Sequence, residues 1–192
     1  MLEHFIAYMR ESGGFNEQDL KNIAEQSTPR KMRRRQLLLQ EGEVCRYKIF
    51  VVKGLLRTYR LKDDGSEYIM KFAPENSWLT DPDSFHRQTP SLFYIDALEE
   101  AEVVLWTKDN FVHLCTTIPA LKAYSDKVIN RSTSESQQRI LMNISYTSEE
   151  KYEAFMAAYP DILRRVPLHM VASYLGVSRE TLSRIRHARM RQ

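Results

Sequence analysis

The chain has 192 residues, a formal net charge of +3, 43% hydrophobic residues and 28% charged residues. This length suits one large domain or two small ones with a genuine core. No apolar run approaches the length of a membrane span, and the first residues, MLEHFIAYMR, lack the basic start and apolar stretch of a signal peptide. We therefore expect no membrane contact and a cytoplasmic location.

The charge is divided unevenly along the chain. Residues 164–192 contain seven arginines and one acid, Glu180, so this segment carries +6 and the remainder carries −3. A mildly acidic body with a strongly basic end is typical of a protein that binds a polyanion at that end. A second basic run, at residues 30–35, is interpreted as a solvated loop or a strand edge.

The N-terminal part predicts a helix followed by a β-rich region. Asn16 is a good N-cap for a helix from about residue 17 to 27, with Phe15 and Leu20 as a hydrophobic staple. Beyond Pro29 the residue pattern changes to that of short strands. They are predicted at residues 36–40, 47–53, 55–61, 68–73, 92–98 and 103–107. Several short strands at this spacing predict an antiparallel sandwich or roll.

Two local signals refine the β-rich region. Asp64-Gly65 lies between two alternating runs and predicts a β-hairpin, because glycine takes the positive φ that such a turn demands. The aromatic residues of this region are spaced as strand residues and are expected in the core of the roll. They are Tyr68, Phe72, Trp78, Phe93, Tyr94 and Trp106.

The second half of the chain has helical periodicity. One long helix over residues 117–145 accommodates an apolar cluster from Ile118 to Val128 and another at Ile140, Leu141 and Ile144. Its polar centre excludes an uninterrupted coiled-coil seam and predicts pairing in two patches. Thr147 and Glu150 then form a capping box for the next helix.

Residues 168–187, LHMVASYLGVSRETLSRIRH, meet the requirements of a helix-turn-helix. Ala172 supplies the small residue where the helices approach closely, and Gly176 supplies the left-handed residue at the turn. Ser178 is expected to cap the second helix. The inward apolar positions are Val171, Leu175, Val177, Leu182 and Ile185.

The outward positions of the second helix form a guanidinium-rich face with Arg179, Glu180, Thr181, Arg184 and Arg186. Arginine can bind guanine O6 and N7 bidentately, and glutamate can accept from cytosine N4 in the major groove. The alternative is an ordinary helical hairpin with a solvated basic face. The spacing and the chemistry together favour DNA recognition.

The segment GVSRETLSRI, preceded by Val166-Pro167, resembles the superfamily of the cyclic AMP receptor protein and the fumarate–nitrate regulator. Matching N-terminal features are Glu41-Gly42-Glu43, Val51-Val52-Lys53-Gly54 and Asp64-Gly65-Ser66-Glu67. The resemblance covers nearly the whole chain. It implies an α+β protein with a cyclic-nucleotide-binding-like, cupin-like antiparallel β-roll at 1–116, a dimerisation helix at 117–146 and a DNA-binding domain at 147–192.

The resemblance also implies roles for single residues. It implies that Arg179, Glu180 and Arg184 contact DNA bases. It also implies that Ser178 and Thr181 contact DNA phosphates. Because the chain stops at Gln192, we expect the usual β-hairpin wing to be lacking. Phosphate contacts by the late arginines are expected to compensate. These are Arg186, Arg189 and Arg191.

The expected effector pocket departs from the family pattern. Members that bind cyclic AMP hold the ribose with Gly-Glu and, about ten residues later, the phosphate with an arginine. Here Thr80-Asp81 and Ser91-Leu92 occupy those positions, and a buried anion without a cation is costly. We therefore expect no gating by cyclic AMP, with Arg87 as a reserve cation. A regulator that responds to cyclic nucleotides through a divergent pocket is the alternative.

The long helix supplies two further candidate pocket residues, Ser136 and Gln137, because this part of the helix approaches the ligand in members of the family. The competing interpretation is that these polar residues simply solvate the helix interface. No cofactor or metal is expected, because Cys45 and Cys115 are interpreted as reduced thiols, and His86 and His113 are weak candidates for haem ligation. The effector is unidentified.

The expected partners are double-stranded DNA and a second copy of the chain, with RNA polymerase and a small-molecule effector as further candidates. An enzyme on a cupin-like roll is a third hypothesis, but the strands lack metal-ligand spacing. We expect no enzymatic activity.

Overall fold

The computed structural model describes residues 1–189, which divide into two compact units. The roll unit consists of Met1–Arg60 and Lys71–Ile129. The helical unit consists of Leu61–Met70 and Asn130–Gln192. Over residues 1–189, no helix combines the length and the apolar character needed to cross a bilayer.

The strands form two four-stranded sheets, with the order β1-β8-β3-β6 in one and β2-β7-β4-β5 in the other. Their bounds are β1 Thr28–Met32, β2 Leu37–Leu39, β3 Tyr47–Lys53, β4 Leu56–Leu61, β5 Glu67–Ala73, β6 Trp78–Leu79, β7 Tyr94–Ala97 and β8 Ala101–Thr107. The antiparallel pairing of β8 with both β1 and β3 makes it one of the two interior strands of the first sheet. These sheets and the helices around them confirm the predicted α+β class.

The helices precede, interrupt and follow the strands. Their bounds are α1 Leu2–Glu11, α2 Glu17–Glu25, α3 Pro82–Arg87, α4 Lys108–Thr117, α5 Pro119–Ser145, α6 Ser148–Ala158, α7 Ile162–Arg165, α8 Leu168–Leu175 and α9 Arg179–Arg189. The predicted N-cap at Asn16 of α2 and the predicted capping box at Thr147 of α6 are confirmed, and Asn16 also forms a capping box with Asp19. The predicted long helix is confirmed as α5, which starts two residues later than expected.

An aromatic cluster forms the core of the roll unit. Trp106 is fully buried, and its indole N–H donates to the carbonyl of Ile23 at 2.8 Å. The Phe5 ring lies 4.9 Å from Trp106 and 5.1 Å from Phe50, centroid to centroid. Trp78 donates to the Tyr124 hydroxyl at 3.0 Å, so each buried indole has a polar partner. This cluster fastens α1, α2 and α5 to the first sheet.

The aromatic core was predicted for the most part. Phe72, Trp78 and Trp106 are buried, while Phe93 and Tyr94 are half-buried. The prediction was wrong for Tyr68, which is 48% exposed. Successive residues of a strand point to opposite faces, and Ile69, its neighbour in β5, is the residue that is buried.

The expectation of two pairing patches on α5 needs correction. Ile118, just before the helix, and Leu121 are buried in the core of the roll unit, and Tyr124 and Val128 pack against the same core. The first apolar cluster is therefore used within the chain. The second cluster, Ile140, Leu141 and Ile144, is exposed and lies in the helical unit.

The basic run at residues 30–35 begins on β1 and continues through a turn. Because β1 lies at the edge of its sheet, the interpretation as a solvated loop or strand edge is confirmed. The strand itself was not predicted, since Thr28–Met32 lacks apolar alternation and contains Pro29. An edge strand tolerates proline because one row of its backbone groups has no partner strand.

The turn between β3 and β4 depends on a close backbone approach at Gly54. Its φ is +89°, and a Cβ built there would lie 2.6 Å from the carbonyl oxygen of Glu100. Gly65, in the predicted hairpin, has a similar φ of +81° but no neighbouring atom within 4 Å. A substitution at either glycine would strain the backbone, but only a substitution at Gly54 would also cause a steric clash.

We expect Gly54→Ala to destabilise the protein more than Gly65→Ala. Left-handed φ alone costs about 1–2 kcal/mol in the Gly65→Ala control. The added clash with rigid backbone raises the cost of Gly54→Ala to about 3 kcal/mol or more. Urea denaturation of both variants measures the difference, and equal free energies of unfolding would contradict the close approach.

Candidate nucleic-acid interface

Helices α8 and α9 are joined by the short turn that the sequence predicts. Gly176 ends α8 with φ 66° and ψ 34°, and the N–H of Val177 donates to the carbonyl of Ala172 at 3.0 Å. Ser178 caps α9, because its hydroxyl accepts from the N–H of Thr181 at 3.1 Å. The left-handed glycine and the serine cap together set the direction in which α9 leaves the turn.

A shared apolar core holds the two helices together. Four of the five predicted inward residues, Val171, Leu175, Leu182 and Ile185, are buried, and Ala172 is buried where α8 approaches the turn. Val177 is half-buried. Helix α6 packs against both α8 and α9 and contributes the buried side chains of Tyr152 and Phe155. The inward half of the predicted pattern is thus confirmed.

The opposite face of α9 carries the predicted polar residues. Arg179, Glu180, Arg184 and Arg189 are exposed, as is Ser178 before the helix, while Thr181 and Arg186 are half-buried. The Arg184 guanidinium donates to the Thr181 hydroxyl at 3.4 Å, a long hydrogen bond that leaves its other donors available. Arg189 lies 4.0 Å from Glu153, and both side chains are more than half exposed. Arg184, Glu180 and Arg179 lie away from the buried Leu182 and Ile185, whereas Arg186 and Arg189 follow these two residues by four positions and lie nearer the packed side of the helix.

The remaining predicted feature of this region concerns the end of the chain. Arg191 lies outside the described residues, so its phosphate contact stays a prediction. The expected lack of a wing also stays a prediction.

The helix-turn-helix is tied to the edge of a strand by Ser173. The hydroxyl of this residue, in α8, donates to the carbonyl of Glu67 at 2.6 Å and accepts from the N–H of Ile69 at 3.0 Å. Both partners belong to β5, and the strand segment and α8 lie in the helical unit. The Ser173 hydroxyl therefore bonds two backbone groups of β5, as a neighbouring strand would.

Arg139 of α5 strengthens the same attachment. Its guanidinium donates to the carbonyls of Ile69, at 2.8 Å, and Met70 in β5, and to the carbonyl of Tyr174 in α8 at 3.0 Å. It also lies 4.1 Å from the centroid of the Tyr174 ring. Burial lowers the pKa of Arg139. This cation holds three segments of the helical unit together, although its Nε has no hydrogen-bond partner.

Sequence reasoning missed this attachment. Ser173 occupies an ordinary polar position in α8, and Arg139 falls in the polar stretch of α5 that was interpreted as solvated. The available signal was weak. The stretch contains two arginines, and only Arg131 has an acidic residue four positions later, Glu135, with which it pairs on the same helix, so Arg139 was the one left to reach a neighbouring element.

The residues predicted at the family's effector pocket partly come together in the roll unit. The Asp81 carboxylate accepts from the Ser91 hydroxyl at 2.6 Å, and both residues are buried. Asp81 also caps α3 by accepting from the Ser84 N–H. Thr80 donates to the carbonyl of Tyr47 at 3.1 Å. These side chains satisfy one another rather than lining an open pocket with free donors.

The other predicted pocket residues do not join this group. Leu92 is 53% exposed. Ser136 and Gln137 are exposed on α5 in the helical unit, where the Ser136 hydroxyl donates to the carbonyl of Ser132. Arg87, the reserve cation, forms an exposed ion pair with Asp83 at 3.0 Å.

A buried ion pair in the roll unit was not predicted. Arg57 in β4 and Asp96 in β7 are 5% and 4% exposed, and their side chains meet at 2.8 Å and 3.1 Å. The Arg57 guanidinium also stacks on Tyr59, 3.9 Å from the ring centroid. The signal in the sequence is an arginine within the apolar strand LLRTY and an aspartate within YIDA. A shift of β4 against β7 would leave a buried charge without its partner. The Arg57–Asp96 pair therefore fixes the register of these two strands.

Comparisons with known proteins connect this architecture to bacterial regulators. Residues 29–117 match the cyclic nucleotide-binding domain family. The chain is 26% identical over 184 residues to the anaerobic regulatory protein of Pasteurella multocida, covering 88% of this chain and 66% of that protein. It is also 26% identical over 164 residues to the transcriptional activatory protein AadR of Rhodopseudomonas palustris, covering 78% and 66%.

The fold agrees with these similarities. The structure of FixK2 from Bradyrhizobium japonicum superimposes with a TM-score of 0.74 at 18% identity, over 84% of this chain and 83% of that chain. The chain spans just under two thirds of the length of the curated relatives named above. The chain is thus similar to proteins named as bacterial regulators, and the match of residues 29–117 to the cyclic nucleotide-binding domain family agrees with the superfamily that its sequence resembles.

Proposed function

We propose that this protein is a transcription regulator that binds DNA sequence-specifically through α9. The observation that carries the proposal is the two-sided character of this helix. Leu182 and Ile185 are buried, whereas Arg179, Glu180 and Arg184 are exposed on the other side. A helix held by its apolar side, with its guanidinium groups free, is suited to enter the major groove. The relatives named as regulators support the same function.

The chemistry of the predicted contact residues, on α9 and at its cap, assigns each of them a role. Arg179 and Arg184 read guanine edges, and Glu180 accepts from cytosine. Ser178 and Thr181 lie at the N-terminus of α9, where hydroxyls and backbone N–H groups bind phosphate. Arg186 and Arg189 are farther along the helix and bind the backbone. Base contacts set specificity, and phosphate contacts set affinity and salt dependence.

We expect Arg179→Ala to relax base preference at one position of the half-site, at a cost of about 1–3 kcal/mol per lost bidentate contact. The matched change Arg189→Ala should weaken specific and random DNA alike and flatten the dependence of affinity on salt. Selection of bound sequences from a random DNA pool, followed by salt titrations on the selected site, measures both effects. Equal losses on specific and random DNA from both variants would contradict these roles.

The protein is proposed to act as a homodimer through the exposed cluster on α5. Ile140, Leu141 and Ile144 are 60%, 56% and 79% exposed. A solvated apolar cluster at helical spacing is typical of a partner-binding surface. A second copy fits it, because a twofold dimer places two recognition helices one turn of DNA, about 34 Å, apart.

We expect the double change Ile140→Glu/Ile144→Glu to dissociate the dimer. Each buried isoleucine contributes about 1.5–3 kcal/mol, and charges facing each other across the interface add repulsion. Val112→Glu is the control, because Val112 is 50% exposed but belongs to α4 and not to this cluster. Sedimentation equilibrium with and without DNA measures the association. A dimer that resists the double change, or a wild-type chain that stays monomeric on DNA, would contradict the proposal.

DNA binding is proposed not to be gated by cyclic AMP. The Asp81–Ser91 hydrogen bond occupies the two side chains at the positions where the family binds ribose and phosphate. Arg87, the nearest cation along the chain, is paired with Asp83. A cyclic phosphate bound there would lose its hydration without gaining a cationic partner.

Calorimetric titration of the full chain with cyclic AMP or cyclic GMP is expected to give no saturable heat. DNA affinity should likewise be unchanged by either nucleotide. A saturable response that also shifts DNA affinity would favour the alternative, a regulator that responds to cyclic nucleotides through a divergent pocket.

A further inference from the structure

The basic run near the N-terminus lines a groove on the roll unit that the proposed function does not use. This groove has a volume of about 880 Å³, within the range of small-ligand sites. Five cationic side chains and two carboxylates line it, and the cations are Lys31, Arg33, Arg34, Arg35 and Lys53. The imbalance of charge makes it a candidate site for an anion.

The position of the carboxylates concentrates the excess charge on the three arginines. Glu102 in β8 is in register with Lys31 of β1 on one side and with Lys53 of β3 on the other. Residues in register share a face of the sheet, so two lysines flank this one carboxylate. Across residues 1–189, no ion pair involves Arg33, Arg34 or Arg35. Their guanidinium groups therefore have unused donors.

The turn that carries these arginines is rigidly held. The N–H of Gln36 donates to the carbonyl of Arg33 at 3.0 Å, and the Gln36 side chain accepts from the N–H of Arg33 at 2.9 Å. The N–H of Arg35 donates to the carbonyl of Ala97 at 2.6 Å, and the N–H of Ala97 donates to the carbonyl of Gln36. The arginines thus project from a fixed backbone and not from a free loop.

Arg35 is an unusual residue for its place in this turn. Its φ is +65°, and the third position of a four-residue turn with positive φ favours glycine or asparagine. A long cation there keeps a backbone penalty that glycine would remove. Strain of this kind is often found where a side chain has a role in binding, so Arg35 is a candidate for direct contact with a ligand.

We propose that this groove binds a polyphosphate group. Guanidinium groups bind phosphate oxygens through paired, charge-assisted hydrogen bonds, and three adjacent arginines match several linked phosphates. The ligand is a small one, because the groove has a bounded volume of about 880 Å³. The carboxylates of Glu100 and Glu102 in its lining can accept hydrogen bonds from the hydroxyl or amino groups of a nucleotide. The lining of the groove includes no residue of α9 and neither Asp81 nor Ser91.

Calorimetric titrations of the full chain with inorganic tripolyphosphate and with ATP, at low ionic strength, test the proposal. The wild type should show one saturable site per chain. Arg33→Gln/Arg34→Gln and Arg35→Gly should each weaken binding by about tenfold or more, since each removes charge-assisted hydrogen bonds. Tighter binding of ATP than of tripolyphosphate assigns the site to a nucleotide, and equal binding assigns it to the phosphate chain alone.

Arg35→Gly separates a ligand site from a structural turn. Glycine accepts the positive φ, so the variant should melt at the same temperature as the wild type or higher while it loses the ligand. Arg179→Gln/Arg184→Gln removes two arginines from α9 and is the matched control, which should bind both probes as the wild type does.

Three results would overturn the proposal. The first is the absence of saturable binding of either probe to the wild type. The second is wild-type binding by both groove variants, or loss of binding in the α9 control. The third is a groove variant that loses affinity for duplex DNA but not for the two probes, which would make the surface a DNA contact.

Discussion

The exposed arginines of α9 depend on the burial of the opposite side of the same helix. Leu182 and Ile185 enter a core shared with α6 and α8, and this core forms only if the chain reverses tightly at Gly176. A residue other than glycine would be strained at φ 66°. Packing thus fixes the orientation of α9, since its apolar side chains determine which face meets solvent.

The attachment to β5 extends this constraint beyond the two helices. Ser173 satisfies two backbone groups at the strand edge, and Arg139 bridges that edge to α8. A shift of α8 away from β5 would strand backbone groups and a largely buried guanidinium, which is costly. The strand segment, α5 and the helix-turn-helix therefore behave as one body within the helical unit. An effector that acts on this protein must move them together or break these bonds.

The sequence predicted the features that arise from local patterns. The Gly176 turn, the Ser178 cap and the inward residues of α8 and α9 follow from spacing and from steric demands of single residues. It did not predict contacts between segments distant in the chain, such as Arg57 with Asp96 or Arg139 with β5. From the sequence alone, a charged residue is predicted to be exposed unless its ion-pair or hydrogen-bond partner is known. The partner is chosen by strand order and helix placement, which periodicity does not encode.

The two basic surfaces, α9 and the groove on the roll unit, differ in the backbone strain of the arginines that form them. The arginines of α9 occupy ordinary helical positions, where charge is compatible with the fold. Arg35 instead occupies a left-handed position, although the same charge at a neighbouring exposed position would bring equal solubility without strain. Net charge therefore does not account for Arg35. Arg35 therefore keeps a backbone strain that the arginines of α9 do not have, and the proposed polyphosphate site would account for this difference.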